Sequence, residues 1–102
     1  MKLEKVVKSD AKGKKYSAIF CKEADTPCKD SDKKKIHFGQ ENADDYTITK
    51  DKDQRDRYRA RTKSVYNKAQ PVSASRLAGD ILWGDSTSLQ QNIKNYKKKY
   101  NL

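Results

Sequence analysis

Residues 16–21 read YSAIFC and residues 36–39 read IHFG, and these two stretches decide the fold. In the first, every second residue shares one face, which is the two-residue period of a β-strand. Ile36 and Phe38 resume that period in the second. Residues 26–32 between them favour a turn, because proline fixes φ and short polar side chains bond to nearby backbone. The sequence therefore predicts a β-hairpin.

Two segments beside the hairpin complete the predicted architecture. Tyr46 and Ile48, again two residues apart, predict a third short strand and a small antiparallel sheet. Residues 1–14 are rich in lysine and lack sustained periodicity, so we expect a basic arm that is flexible or ordered by a partner. Residues 15–102 are then a single small α+β domain.

Three short helices are predicted after the sheet. Side chains that can cap a helix precede each one: Asp51 and Asp53, Ser73 or Ser75, and Asp85 or Ser86. Residues that would face the core recur at helical spacing: Tyr58, Thr62, Val65 and Tyr66; Leu77, Ile81 and Leu82; and Leu89, Ile93, Tyr96 and Tyr100. We expect Gly79 to permit close packing and Gly84 to end the second helix. The fold class is α+β, a hairpin or three-stranded antiparallel sheet followed by three short helices.

Composition points to a polyanion as the partner. The chain has 24 Lys and Arg against 14 Asp and Glu, a formal net charge of +10. Such a surplus favours nucleic acid, an anionic membrane surface or an acidic protein face. Leu, Ile, Val and Phe number only 16 of 102 residues, which predicts a thin core. No apolar run approaches the ~20 residues of a membrane-spanning helix, and the N-terminus lacks the apolar stretch of a secretory signal.

Residues 55–63, with the sequence RDRYRARTK, are the strongest candidate binding segment of the chain. The five cations stand at every second position: Arg55, Arg57, Arg59, Arg61 and Lys63. On a helix the first and third arginines share one flank, and the second and fourth share the other. They could bind phosphates or acidic partners. The alternative is a solvated helix whose arginine stems cover apolar surface and whose heads pair with Asp44, Asp45 or Asp56.

Further candidates are cationic or aromatic. The final helix ends in Lys97, Lys98 and Lys99, which suit the negative end of the helix dipole and could extend a polyanion-binding surface. Aromatic residues that an interface could bury are Tyr58, Trp83, Tyr96 and Tyr100. Tyr58 could stack on a base, although its place in the helical stripe favours core packing.

No arrangement of residues indicates catalysis or a cofactor. Cys21, Cys28 and His37 fall short of the four ligands of a structural zinc site, and we expect no metal. The two cysteines are expected to be free thiols, and His37 to lie on the exposed face of the sheet. A convergent nucleophile and base, or a glycine-rich phosphate loop, is missing from the sequence. The sequence predicts a protein that is not an enzyme.

An ordered succession of short motifs carries a family resemblance. They are IHFG at 36–39, DYTI at 45–48, KDK at 50–52, RDRYRAR at 55–61, ILWGDS at 81–86, SL at 88–89 and NI at 92–93. This succession, over roughly residues 15–100, resembles a family of small basic proteins from large DNA viruses of algae and amoebae. The chain departs from the family pattern at Thr49 and Thr62, where histidine is expected, and Tyr66 stands at the usual aromatic position.

The resemblance implies a viral context and no mechanism, because the family has no assigned activity. In that context the expected function is a small basic structural protein of the virion, of the minor capsid or capsid-cementing type. Its expected partners are capsid proteins or an anionic inner-membrane surface. The alternative is a DNA-binding or genome-packaging protein without sequence specificity. The expected location is the virion, and the host cytoplasm or nucleus during infection.

Overall fold

The computed structural model describes residues 1–22 and 29–102, which form an antiparallel sheet followed by helices. The strands are β1 (Lys2–Lys8), β2 (Lys14–Cys21) and β3 (Lys33–Gln40). The helices are α1 (Tyr46–Thr49), α2 (Lys52–Lys68), α3 (Ala74–Leu77), which continues into a π-helical turn (Ala78–Leu82), and α4 (Leu89–Tyr100). The predicted α+β class is confirmed.

The hairpin of β2 and β3 is confirmed, and the sheet order is β1-β2-β3. Of the predicted turn, residues 26–28 lie outside the described part of the chain, and Asp30–Asp32 form a short 3-10 turn. The third strand comes from the N-terminus and not from Tyr46 and Ile48, so that prediction is wrong. Tyr46 and Ile48 belong to α1, because Asp45 caps this helical turn by accepting a hydrogen bond from the Thr47 amide at 2.8 Å.

Residues 2–8, expected to be part of a flexible or partner-ordered arm, form the edge strand β1. A β-bulge between Leu3 and Lys5 explains why the pattern does not read as a strand. The extra residue places Leu3 and Val6, three positions apart, on the same face of the sheet. Leu3 is only 2 % exposed, so the edge strand contributes to the core.

The register of the three strands defines two faces, since directly paired residues point to the same side. Each face has three rows, read from β1 through β2 to β3. The inner rows are Leu3, Phe20 and Lys34; Val6, Ala18 and Ile36; and Lys8, Tyr16 and Phe38. The outer rows are Lys2, Cys21 and Lys33; Lys5, Ile19 and Lys35; and Val7, Ser17 and His37.

The core lies between the inner face and the segment from α3 to α4. It is formed by buried residues of both layers: Leu3, Ala18, Phe20, Phe38, Leu77, Ile81, Leu82, Trp83 and Tyr96. Helix α2 packs onto this segment through Tyr58, whose ring stacks on Trp83 at 4.4 Å between centroids. Gly79 permits close packing as predicted, because a Cβ there would lie 2.8 Å from the Tyr66 ring. Val65 is 64 % exposed, so its assignment to the core stripe is wrong.

The helix starts agree with prediction twice and differ once. Asp51 accepts hydrogen bonds from the Asp53 and Gln54 amides at the start of α2. Ser73 caps α3. Helix α4 is capped by Ser88, instead of Asp85 or Ser86, because Ser88 Oγ accepts a hydrogen bond from the Gln91 amide. The C-cap of the π-helical turn is Trp83, so Gly84, expected to end this helix, lies one residue beyond the cap.

Cys21 is disulfide-bonded, so the expectation of a free thiol is wrong at this residue. Cys28 lies outside the described residues. His37 sits half-buried on the outer face, where its Nδ1 is 2.9 Å from Ser9 Oγ and 2.6 Å from Ser17 Oγ. Among the described residues, no helix is long and apolar enough to span a membrane.

Candidate functional site

A groove of about 580 Å³ lies between α2 and α4, and Gly79, Asp80, Gly84 and Asp85 complete its lining. Three of the cations singled out in the sequence border it: Arg59 and Lys63 from α2, and Lys99 from α4. The aromatic part of the lining is Tyr58, Tyr66 and Tyr96, and the carboxylates are Asp80 and Asp85. The fold therefore brings together cations that stand far apart in the sequence.

Arg59 is held rigidly at the groove by the backbone. Its Nε and Nη2 donate to the carbonyl oxygen of Trp83 at 3.1 and 2.9 Å, and Nη2 also donates to Asp85 Oδ1 at 3.0 Å. The Arg59 side chain is 41 % exposed and that of Asp85 is 85 % exposed. An ion pair this exposed contributes little to stability, so another carboxylate can replace Asp85 at low cost.

Lys99 is fixed on the opposite wall. Its Nζ donates to Tyr66 Oη at 2.9 Å and lies 3.6 Å from Asp80 Oδ1. It also lies 5.5 Å from the centroid of the Tyr66 ring and 5.2 Å from that of Tyr100. The hydrogen bond to Tyr66 raises the pKa of Lys99 above its ordinary value, and the nearby Asp80 adds to the effect. Lys99 therefore remains charged at neutral pH.

Asp80 offsets part of the positive charge of the groove, and both of its oxygens accept hydrogen bonds from tyrosine hydroxyls. Tyr66 Oη donates to Oδ1 at 2.5 Å and Tyr100 Oη donates to Oδ2 at 2.6 Å. Arg76 completes the cluster, donating from Nη1 to Tyr100 Oη at 2.9 Å and from Nε to the Tyr66 carbonyl at 2.8 Å. Burial raises the pKa of Tyr66 to about 12, and its hydrogen bond to Asp80 acts in the same direction.

The remaining cations of the arginine block lie outside the groove. Arg55 is buried, and its guanidinium lies 4.8 Å from the Tyr46 ring centroid and 3.3 Å from Asp56 Oδ1. The pairing with Asp56 is the one expected if the arginine heads pair with nearby carboxylates instead of binding a partner. Arg57 and Arg61 are exposed on another flank of α2, as helical geometry predicts. Together with Asp44 they line a second, smaller depression.

The other predicted site residues fall into two groups. Lys97 and Lys98 are exposed in the last turn of α4, and the lining of the groove does not include them. Trp83 and Tyr96 are buried, so the expectation that they offer exposed interface surface is wrong. Their burial follows from their contacts, since Trp83 carries the stacked Tyr58 ring and Tyr96 Oη donates to the Pro71 carbonyl at 2.7 Å.

Sequence reasoning missed Asp80 and Arg76 as partners in this site and placed Tyr66 only in the core. The aromatic spacing of α2 and α4 was a usable signal for Tyr66 and Tyr100. Nothing local marks Asp80 or Arg76, because their partners lie 10 to 24 residues away in the chain. Within the described residues, no cluster of His, Cys, Asp and Glu is arranged to hold a metal ion.

A family model described as a family of unknown function (DUF5754) matches residues 4–62, which include most of β1 and most of α2. The chain belongs to this family. An uncharacterized protein of Acanthamoeba polyphaga mimivirus, an amoeba-infecting large DNA virus, is 36 % identical over 85 residues. That alignment covers 78 % of this chain and 79 % of the relative. No solved structure matches the chain. The protein is therefore a viral protein of unknown function.

Proposed function

We propose that the chain is a non-enzymatic minor structural protein of the virion that attaches to a neighbouring virion protein, such as a capsid protein. It would do so by holding an acidic segment of that protein in the groove between α2 and α4. The observation that carries this proposal is the convergence of Arg59, Lys63 and Lys99 on one groove. Before assembly the chain would be present in the cytoplasm or nucleus of the host cell.

The chemistry of the groove suits an acidic peptide segment. Arg59 is already oriented by the Trp83 carbonyl, and its present partner Asp85 is mostly in solvent, so a carboxylate of the partner can take its place. The rings of Tyr58 and Tyr66 add apolar contact along the groove. Lys63, exposed at the rim, would draw an acidic segment toward the site.

Non-specific DNA binding through the arginine block is the second candidate, and the structure reduces the number of contacts it could use. Four phosphate contacts would give a salt slope of about −3.6. Arg55 is buried, whereas Arg57 and Arg61 are exposed and Arg59 could exchange its exposed partner Asp85 for a phosphate. Three contacts would give a slope of about −2.7.

Stepwise disruption of purified particles of the virus that encodes the chain tests the location. The protein, followed by mass spectrometry, is expected to leave the particle together with shell proteins. Release with the genome would favour the DNA-packaging alternative. Absence from particles would reject a virion role of either kind.

Charge reversal at the groove tests the mode of attachment. We expect Lys63→Glu to reduce incorporation into particles by at least roughly tenfold, because reversing one charge of an interfacial pair costs about 2 kcal/mol or more. Lys98→Glu is the matched control, since Lys98 is equally exposed but lies outside the groove. Normal incorporation of Lys63→Glu, or equal loss in both variants, would contradict docking through the groove.

A further inference from the structure

We infer that the outer face of the sheet binds the phosphate backbone of duplex nucleic acid without sequence specificity. This surface is separate from the groove, and the inference does not depend on the proposed attachment to a virion protein. Its outer rows place Lys2 and Lys5 on β1 and Lys33 and Lys35 on β3, with Cys21 and Ile19 of β2 between them. Two columns of lysine therefore flank a central strand.

The spacing of these lysines follows from sheet geometry. Neighbouring strands lie ~4.8 Å apart, so the two columns are ~10 Å apart, and successive rows on one face are ~7 Å apart. Lys2, Lys5 and Lys35 are exposed. The columns thus form a small grid of cations on the sheet, and the long lysine stems let each ammonium group follow a curved backbone.

Two carboxylates of the described residues form long ion pairs with lysines of this face. Asp10 Oδ2 lies 3.6 Å from Lys35 Nζ, and Glu4 Oε1 lies 3.7 Å from Lys33 Nζ. The Asp10 side chain is 76 % exposed, so the pair with Lys35 is screened by water and a phosphate can displace it. Lys33 has further interactions within the molecule, and we do not count it as a phosphate contact.

The row of Val7, Ser17 and His37 lies at one end of the grid. Ser9 Oγ and Ser17 Oγ both lie within hydrogen-bonding distance of His37 Nδ1. When these hydroxyls donate to Nδ1, the proton of the neutral ring is on Nε2, which is then a donor. The Ser17 residue is only 1 % exposed and its hydroxyl is engaged with His37, so this row is not counted among the phosphate contacts.

The residue types on this face favour a duplex over other partners. None of the nine residues in the outer rows is Phe, Tyr or Trp. Single-strand binders stack bases on aromatic rings, and proteins that insert into a membrane interface use large apolar side chains. Lysine is depleted in protein–protein interfaces but is well suited to phosphates as a point charge. Duplex phosphates are the partner that needs only what this face supplies.

The salt dependence of binding to a short DNA duplex of mixed sequence tests the inference. Each phosphate contact contributes about 0.9 to the slope of log K against log salt, so replacing Lys2, Lys5 and Lys35 by Gln should reduce its magnitude by about 2.7. A variant with Lys52, Lys68 and Lys94 replaced by Gln removes the same charge from the helices and should keep the wild-type slope. An unchanged slope in the first variant, or equal reductions in both, would overturn the inference.

Two further measurements keep the test decisive. If the triple variant does not fold, acetylation of the wild-type protein, read by mass spectrometry, should show that the duplex protects Lys5 and Lys35 but not Lys94. Equal reactivity with and without duplex would overturn the inference.

The third measurement is sedimentation with phosphatidylserine vesicles. Binding to vesicles that requires Lys5 and Lys35, without binding to the duplex, would assign this face to a membrane surface instead. The Lys63→Glu variant should bind duplex normally, so failure of the groove proposal is distinguishable.

Discussion

Gly84 occupies a position where a side chain has no room. A Cβ there would lie 2.2 Å from the Asp80 carbonyl oxygen and 2.8 Å from the side-chain amide of Asn92. Asn92 cannot move aside easily, because it is buried and its Nδ2 donates to the carbonyls of Ile81 and Ser86 at 2.8 and 2.7 Å. We therefore expect Gly84→Ala to lower the free energy of unfolding by about 3 kcal/mol, measured by urea denaturation.

Gly13→Ala is the matched comparison. Gly13 has φ +82°, and a Cβ added there would meet no atom within 4 Å beyond its chain neighbours. The substitution therefore incurs only the backbone strain of a left-handed residue, about 1 kcal/mol. Equal losses of stability in the two variants would show that crowding at Gly84 is not the cause.

Asp45 is fully buried and is paired with Lys15, whose Nζ lies 2.6 Å from Asp45 Oδ2. From the sequence, arginines of α2 are the candidate partners of Asp45. Lys15 on β2 is not recognisable as the partner from sequence, because its approach to Asp45 depends on tertiary structure. Asp45→Asn should cost about 3 kcal/mol in the free energy of unfolding, since it leaves the ammonium group without its counterion.

A double-mutant cycle checks that reason. Adding Lys15→Met to Asp45→Asn removes the unpaired charge, so the double variant should unfold at higher urea concentration than Asp45→Asn alone. If the two substitutions are additive, the pair does not carry the coupling that its burial indicates.

At the scale of elements, one polar cluster joins α2, α3, the π-helical turn and α4. Burial raises the pKa of Tyr66 to about 12 from an ordinary value of 10.0. The folded state thus retains a proton that the unfolded state loses first. The stability from this group is complete below pH 10 and is lost as the pH rises toward 12. The raised pKa of Lys99 has the same sign.

We expect the melting temperature, measured by circular dichroism, to decrease as the pH is raised from 10 to 12. Tyrosinate absorbance should show at least one tyrosine that ionises late. Tyr66→Phe should lower stability at pH 7, because Asp80 and Lys99 lose a hydrogen-bond partner. The same variant should flatten the alkaline decline. A decline as steep as that of the wild type would mean that another group controls it.

The elements differ in how far sequence could predict them. The two-residue period of β2 and β3, the 3.6-residue period of α4 and the capping Asp51 before α2 predict the positions of these four elements. β1 was missed because a bulge interrupts its period, and Tyr46 and Ile48 were assigned to a strand because a single two-residue spacing also fits a helical turn. The cations of the groove were named from sequence. Their convergence was not, because it depends on how α4 packs beside α2.

At the scale of the whole molecule, the question is whether residues 1–8 are part of the folded domain or an arm attached to it. If residues 1–8 were an arm, their removal would leave the domain intact. In the structure they form an edge strand that buries Leu3 against the core and pairs along β2. Deleting them removes the buried leucine and exposes the edge of β2 to solvent. We expect the shortened chain to lose at least about 4 kcal/mol in the free energy of unfolding, because truncation of one buried leucine costs about 2–5 kcal/mol by itself.

Urea denaturation of the full chain, the shortened chain and two substituted chains measures this loss. Leu3→Ala should reproduce about half or more of it, because that leucine is the fully buried residue of the strand. Replacing the exposed Lys2 and Lys5 by Gln leaves the strand pairing in place and should change stability by less than about 0.5 kcal/mol. If the shortened chain is as stable as the full one, residues 1–8 are an arm that the domain does not need. In that case the outer lysine grid would lose its rigid scaffold, and phosphate binding by Lys2 and Lys5 would have to arise from a segment that orders only on its partner.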